Sequence, residues 1–194
     1  MLTNIKEFGN ISVIDNNIID SIIIKKDREK QELIINWIKE KTNKDSINFK
    51  KIFTMSLNGS SSKDFHDYCD NKGPTLTLIK TTKNKIFGGF TPLDWDISGH
   101  NKYDEKEQTF IFSLNLVKQY DIINKEKTAI CCRHDYGPIF GGSDFNIASN
   151  MKKGNNFANS KTSFITNNNL ELIGEEGSSK EIDIEDFEVF KVKY

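Results

Sequence analysis

His66 and Cys69 stand three residues apart, Cys131 and Cys132 are adjacent, and His134 follows two positions later. Thiol and imidazole groups at such spacings are the materials of nucleophilic or redox chemistry. If residues 62–69 are helical, His66 and Cys69 share a face. A thiolate enzyme would need a cysteine of lowered pKa beside such a histidine, together with an oxyanion hole. Cys69, Cys131 and Cys132 are therefore the redox candidates, and the alternative for each is the role of a small apolar core residue. The same residue types suit zinc, but adjacent cysteines project to opposite faces of a strand and no Cys-x-x-Cys pair occurs. Neither a P-loop, a dinucleotide fingerprint nor a Gly-x-Ser-x-Gly elbow is present. The residues thus favour a binding protein, with a thiol-based redox enzyme or sensor as the alternative.

A second constellation runs Asp94-Trp95-Asp96-Ile97-Ser98-Gly99-His100-Asn101-Lys102-Tyr103-Asp104-Glu105. Set against a calcium loop of the EF-hand kind, Asp94, Asp96, Ser98, the His100 carbonyl and a bidentate Glu105 fall at ligand positions, with a glycine at the turn. Calcium is thus the one cofactor the sequence admits, and otherwise none is expected. Asn101 occupies a position that is usually aliphatic, and the flank before Asp94 reads as strand. The competing reading is an acidic, solvated loop tip between two strands.

The elements that would position these groups are legible from periodicity. Asp27 caps a helix in which Leu33, Ile34, Trp37 and Ile38 form one apolar stripe. A strand is expected over 49–57, with Phe53, Met55 and Leu57 on one face. Ser61 and Asp64 make a capping box for a short helix whose Phe65, Tyr68 and Cys69 share a side, and Asp70-Asn71-Lys72-Gly73-Pro74 ends it. Further strands are expected at 75–81, 85–91, 109–115, 128–132, 145–148 and 186–192, with a long surface loop over 150–162. Because the helical patterns lie within the first 70 residues or so, a parallel sheet lacks its crossovers. The fold class is α+β, mainly β: a central sandwich of two antiparallel sheets with a few flanking helices. The echo of Ile86-Phe87-Gly88-Gly89 in Ile139-Phe140-Gly141-Gly142 marks two strand bends or close backbone approaches.

The chain has 194 residues, 14 of them phenylalanine, so one domain with a substantial core is expected over 21–194, preceded by an N-terminal arm over 1–20. The 27 basic and 28 acidic residues balance, which makes nucleic acid an unexpected partner. Three cysteines suit a reducing compartment. With neither a signal-like start nor an apolar run of about 18 residues, the expectation is a cytoplasmic protein without membrane insertion.

The stretch Phe65-His66-Asp67-Tyr68-Cys69-Asp70-Asn71-Lys72-Gly73-Pro74-Thr75-Leu76-Thr77-Leu78-Ile79-Lys80 resembles the signature of TLDc domains. In the family's order follow Phe87-Gly88-Gly89-Phe90, Trp95, Phe110-Ile111-Phe112-Ser113-Leu114, Tyr136-Gly137-Pro138-Ile139-Phe140-Gly141-Gly142 and Glu188-Val189-Phe190. The resemblance implies the same two-sheet sandwich. It also implies a protein-interaction module in oxidative-stress resistance, because several members bind the vacuolar proton-pumping ATPase and regulate its assembly. The expected partners are then catalytic-sector subunits of that pump, and no agreed active site exists to carry over. The loops around Gly88, Gly89, Gly141 and Gly142, and the helix of His66 with Asp70, are the contact candidates. Where the family commonly has a Ser-Arg-Asp-Gly-Phe run, this chain has Ser56-Leu57-Asn58-Gly59-Ser60. No lysin-motif, kinase or Rab-regulatory domain is expected beside this one.

Overall fold

A computed structural model describes residues 18–152, 156–158, 162–166, 171–173 and 180–194. Its elements, in order, are α1 (Arg28–Thr42), β1 (Asn48–Thr54), α2 (Met55–Asn58), α3 (Ser62–Cys69), β2 (Thr75–Thr81), β3 (Ile86–Thr91), β4 (Asn101–Tyr103), β5 (Phe110–Ser113) and β6 (Lys118–Asp121). There follow β7 (Thr128–Cys131), β8 (Tyr136–Phe140), β9 (Phe145–Ala148), β10 (Phe157–Ala158), a 3-10 turn (Glu171–Ile173), β11 (Lys180–Glu181) and β12 (Ile184–Lys193). The first sheet has the order β1-β12-β2-β3-β5-β6 and the second β11-β10-β9-β8-β7-β4. All strand pairs are antiparallel. The two sheets stack as the expected sandwich.

Two cores result, one on each face of the first sheet. Between the sheets lie Phe53, Phe65, Phe87, Trp95, Phe140, Phe145, Phe187 and their neighbours. On the outer face, Ile34, Ile35 and Ile38 of α1 cover Leu76, Leu78, Phe90, Phe110, Phe112 and Phe190. Strand β12 shows the division by alternation: Phe187 and Val189 face the second sheet, Phe190 and Val192 face α1. Strand β2 is covered on both sides, so every residue but Lys80 is buried. The helix itself starts where Asp27 accepts from the Lys30 amide and ends at Asn43 in the left-handed conformation. Trp37 meets Phe112 at 5.7 Å between ring centroids.

The glycine echo resolves into two different devices. On Gly88, an added Cβ would lie 2.0 Å from the Thr77 carbonyl oxygen, and on Gly89 2.6 Å from the Phe140 ring. Here the absent side chains let the neighbouring strand and the second sheet approach. Gly141 instead has φ of 70°, which a side chain rarely adopts. Gly88, Gly89 and Gly141 are buried, whereas Gly142 is exposed.

Three expectations are corrected. The strand over 49–57 stops at Thr54, and Met55 and Leu57 belong to α2, because Asp186 receives Ser56 N (3.0 Å) and Ser56 Oγ (2.5 Å). Met55 is buried and Leu57 is 79% exposed, so they do not share a face. Tyr68 likewise leaves the buried side of α3 (43% exposed), which Phe65, His66 and Cys69 form. The loop expected over 150–162 contains β10, anchored by the buried Asn156 amide on the Met151 and Ile182 carbonyls. The N-terminal arm expected over 1–20 lies almost wholly outside the described residues. Residues 18–26 form turns on the α1 side of the first sheet, with Ile19, Ile23 and Ile24 buried.

Candidate functional site

Helix α3 is held at its start by the capping box: Asp64 N donates to Ser61 Oγ, and Ser61 N donates to Asp64 Oδ2 (2.9 Å). That register turns His66 inward toward the β7–β8 connection. Its Nδ1 lies 2.8 Å from Asp70 Oδ1, and its Nε2 lies 2.9 Å from the Arg133 carbonyl and 3.0 Å from the Tyr136 carbonyl. Three acceptors and no donor surround the ring, so both nitrogens must donate, which only the imidazolium can do. Burial works against the charge. The Asp70 hydrogen bond and the two carbonyls outweigh it, and the pKa stands above the ordinary 6.5. His66 is thus a buried clamp between α3 and the second sheet, whose three acceptors favour the protonated ring. Asp70, the helix's C-cap, is half-buried beside it.

The clamp has a pH signature. Since the folded pKa is raised, its stabilisation is complete below the unfolded value of ~6.5 and declines as pH rises through the folded value. Thermal unfolding of the wild type and His66→Gln should therefore differ by about 1.5 to 3 kcal/mol in mild acid, the range for hydrogen bonds to charged groups, and by less in alkali.

The thiols are placed against nucleophilic use. Cys69 and Cys132 are buried and Cys131 half-buried, all three free. Burial pushes the Cys69 thiol well up, raises Cys131, and takes Cys132 up to about 11. A nucleophile needs the opposite shift. His66 has no nitrogen left to activate Cys69, and Cys132 Sγ points at the Asp94 carbonyl (3.9 Å). In the native protein a disulfide-exchange reagent should label Cys131 first, and Cys69 and Cys132 only after denaturant is added. Simultaneous labelling of all three would contradict this packing.

The 94–105 segment does not form one loop, since β4 interrupts it. Asp94 Oδ1 accepts from Gly73 N (2.6 Å), and Asp96 accepts from Ser98 N (2.8 Å). Lys102 Nζ sits 2.7 Å from Asp96 Oδ2 and also donates to the Asp94 carbonyl. The ammonium therefore engages Asp96, one of the carboxylates that the calcium reading needs. The His100 carbonyl accepts from Cys132 N, tying the segment to the second sheet, and Glu105 pairs with Lys125 at 3.5 Å. Among the described residues no group of three or more His, Cys, Asp or Glu is arranged to hold a metal ion. None of the described helices is long and apolar enough to cross a membrane.

The sequence reading passed over the buried carboxylates. Glu188, fully buried in β12, receives Ser21 Oγ (2.5 Å), Ile22 N (3.2 Å), Ile23 N (3.3 Å) and Lys51 Nζ (2.7 Å). It fixes the segment ahead of α1 onto the sheet. Asp144 does the same for residues 162–164, and Asp104 for Lys106, Gln108 and Thr109. The available signal was a lone Glu at an inward position of an apolar alternation, Phe187-Glu188-Val189-Phe190.

Two stacked antiparallel sheets, whose interior polar groups tie loops and helices to the sandwich, define a compact β-sandwich domain with helical flanks. The chain belongs to the TLDc domain family, whose model matches residues 19–193. It is similar over 69 residues (32% identical, 36% of this chain) to the MTOR-associated protein MEAK7 of Danio rerio. Over 66 residues (30% identical, 34% of this chain) it is similar to the MTOR-associated protein MEAK7 of Gallus gallus. Over 44 residues (41% identical, 23% of this chain) it resembles TBC1 domain family member 24 of Xenopus laevis. The matched stretches cover 15%, 14% and 8% of those relatives, so the chain corresponds to a small part of each.

Proposed function

We propose that this chain is a protein-interaction module acting in oxidative-stress resistance in the cytoplasm, by binding catalytic-sector subunits of the vacuolar proton-pumping ATPase and regulating the pump. The observation that carries the reading is the family match over 19–193, combined with a site whose chemical groups are engaged in holding the fold. A relative named for its association with another protein is consistent with it. Leu57, 79% exposed on α2, lies in the run where this chain departs from the family's common residues, and it is the first side chain to test for contact.

An affinity pull-down from the source cell's lysate, run with calcium and with chelator and read by mass spectrometry, tests the proposal. Recovery of catalytic-sector subunits, weakened by Leu57→Ala, supports it. Dependence of that recovery on calcium would revive the 94–105 segment as a regulatory site. Recovery of none of these subunits would shift the reading to a thiol-based sensor.

A further inference from the structure

Strand β1 is one outer strand of the first sheet, bonded only to β12. In the register of that pair Lys50 lies directly opposite Lys191, and Asn48 opposite Lys193. Opposed residues share a face, so the three lysines stand together at one end of the sheet. Lys51, on the other face, is neutralised by Glu188. Lys50, Lys191 and Lys193 form no ion pair among the described residues, and Asp45, exposed in the loop before β1, pairs with none of them. Like charges directly opposite each other on a ladder are destabilising. A chain of net charge −1 therefore keeps an uncompensated positive corner. Lysine on an outer strand can serve merely to repel unwanted pairing. That purpose accounts for Lys50 but not for Lys191, which sits on the inner strand.

The backbone supplies the second half of the argument. Among the described residues, no N–H or C=O of residues 48–51 bonds to anything but β12. An unpaired ladder beside a positive corner matches an extended polypeptide carrying carboxylates: main-chain bonds add the strand, its side chains on that face stand next to Lys50, and Lys191 and Lys193, one strand further in and about 10 Å away, attract it at longer range. A nucleic acid or an anionic membrane offers phosphates but no complement to the ladder, and the balanced net charge gives neither a general attraction.

We propose that the outer edge of β1, with Lys50, Lys191 and Lys193, docks an acidic segment of a partner protein as an added antiparallel or parallel strand. The inference goes beyond the pump reading and does not depend on it, because its test needs only the purified chain and a synthetic peptide. The probe is a fluorescein-labelled peptide of alternating Glu and Thr, titrated by anisotropy at low salt and at about 0.15 M salt. The expected result is saturable binding, weaker at the higher salt and reduced roughly tenfold or more in K50E/K191E. Amide exchange at residues 48–51 should slow on binding. The single variant K191E, which places Glu opposite Lys50, should melt at or above the wild type and still lose affinity, which separates docking from folding. Absence of binding to the wild type, equal binding by K191E, or preference for phosphatidylserine vesicles or duplex DNA over the peptide would each overturn the proposal.

Discussion

Gly88→Ala is expected to destabilise the domain by about 3 kcal/mol, the upper end for an overpacked core, and to lower its soluble yield sharply. Gly88 pairs with Leu78 on one side and Phe112 on the other, in the middle of the first sheet. The new methyl would lie 2.0 Å from the Thr77 carbonyl oxygen, a backbone atom of β2, and 2.9 Å from the Phe112 ring. A side chain can rotate away from such a contact, but a carbonyl engaged in a central ladder cannot move without shifting the strand. Two cores lean on that strand, so relaxation on one face disturbs the other. Gly142→Ala is the control: it is exposed and meets only Thr162 Oγ1, at 3.7 Å. Chemical denaturation of both variants checks the contrast, and similar midpoints would show that β2 and β3 have more freedom than the packing allows.

Glu188→Ala is expected to cost about 3 to 5 kcal/mol, the range for breaking a buried charged network by removing one partner. The carboxylate is fully buried and serves Ser21 Oγ, two backbone amides and the Lys51 ammonium. Its loss takes the carboxylate from a partly buried cation and from the Ile22 amide, while the Ile23 amide keeps Ser21 Oγ at 3.1 Å. Against a typical domain stability of about 5 to 15 kcal/mol this is a large fraction. The damage should be directional as well as large. Amide exchange should quicken first at Ile22, before α1 or the second sheet is affected, because that amide loses its acceptor. Ser21→Ala should cost about 1.5 to 3 kcal/mol, because its hydroxyl donates to the Glu188 carboxylate and accepts from the Ile23 and Ile24 amides, and the double variant should fall short of the sum. Additive losses would mean that Glu188 acts through Lys51 alone.

How much of this could be read from the residues follows from how local each signal was. The α1 stripe, the α3 capping box and strands β2, β3, β9 and β12 were legible, since each rests on periodicity or a cap within a few positions. The end of β1 was not. Met55 and Leu57 continue an alternating pattern, and only Asp186, 130 positions away, captures Ser56 and turns the chain into α2. Strands β4, β10 and β11 escaped because two or three residues carry too little pattern, β6 because its residues are mostly polar, and β8 because Gly137-Pro138 interrupts it. The site was legible as a set of residue types but not as roles. The His66–Cys69 spacing suggested activation of a thiol, yet the ring turns away to carbonyls at Arg133 and Tyr136, some seventy positions on. The calcium pattern in 94–105 rested on oxygen-bearing residues at ligand spacing, but the structure pairs Asp96 with Lys102 and Glu105 with Lys125.

A TLDc domain that works through its surface keeps its partner when its thiols are removed. The most direct measurement is size-exclusion chromatography with light scattering on the purified chain mixed with purified catalytic sector of the vacuolar proton pump. It is repeated with the Cys69→Ser, Cys131→Ser, Cys132→Ser triple variant, alongside an assay of peroxide consumption. The account predicts co-migration that the triple variant retains, with no cysteine-dependent peroxide consumption by the chain. Absence of co-migration, together with peroxide consumption that the triple variant loses, would contradict it and make the protein a thiol enzyme.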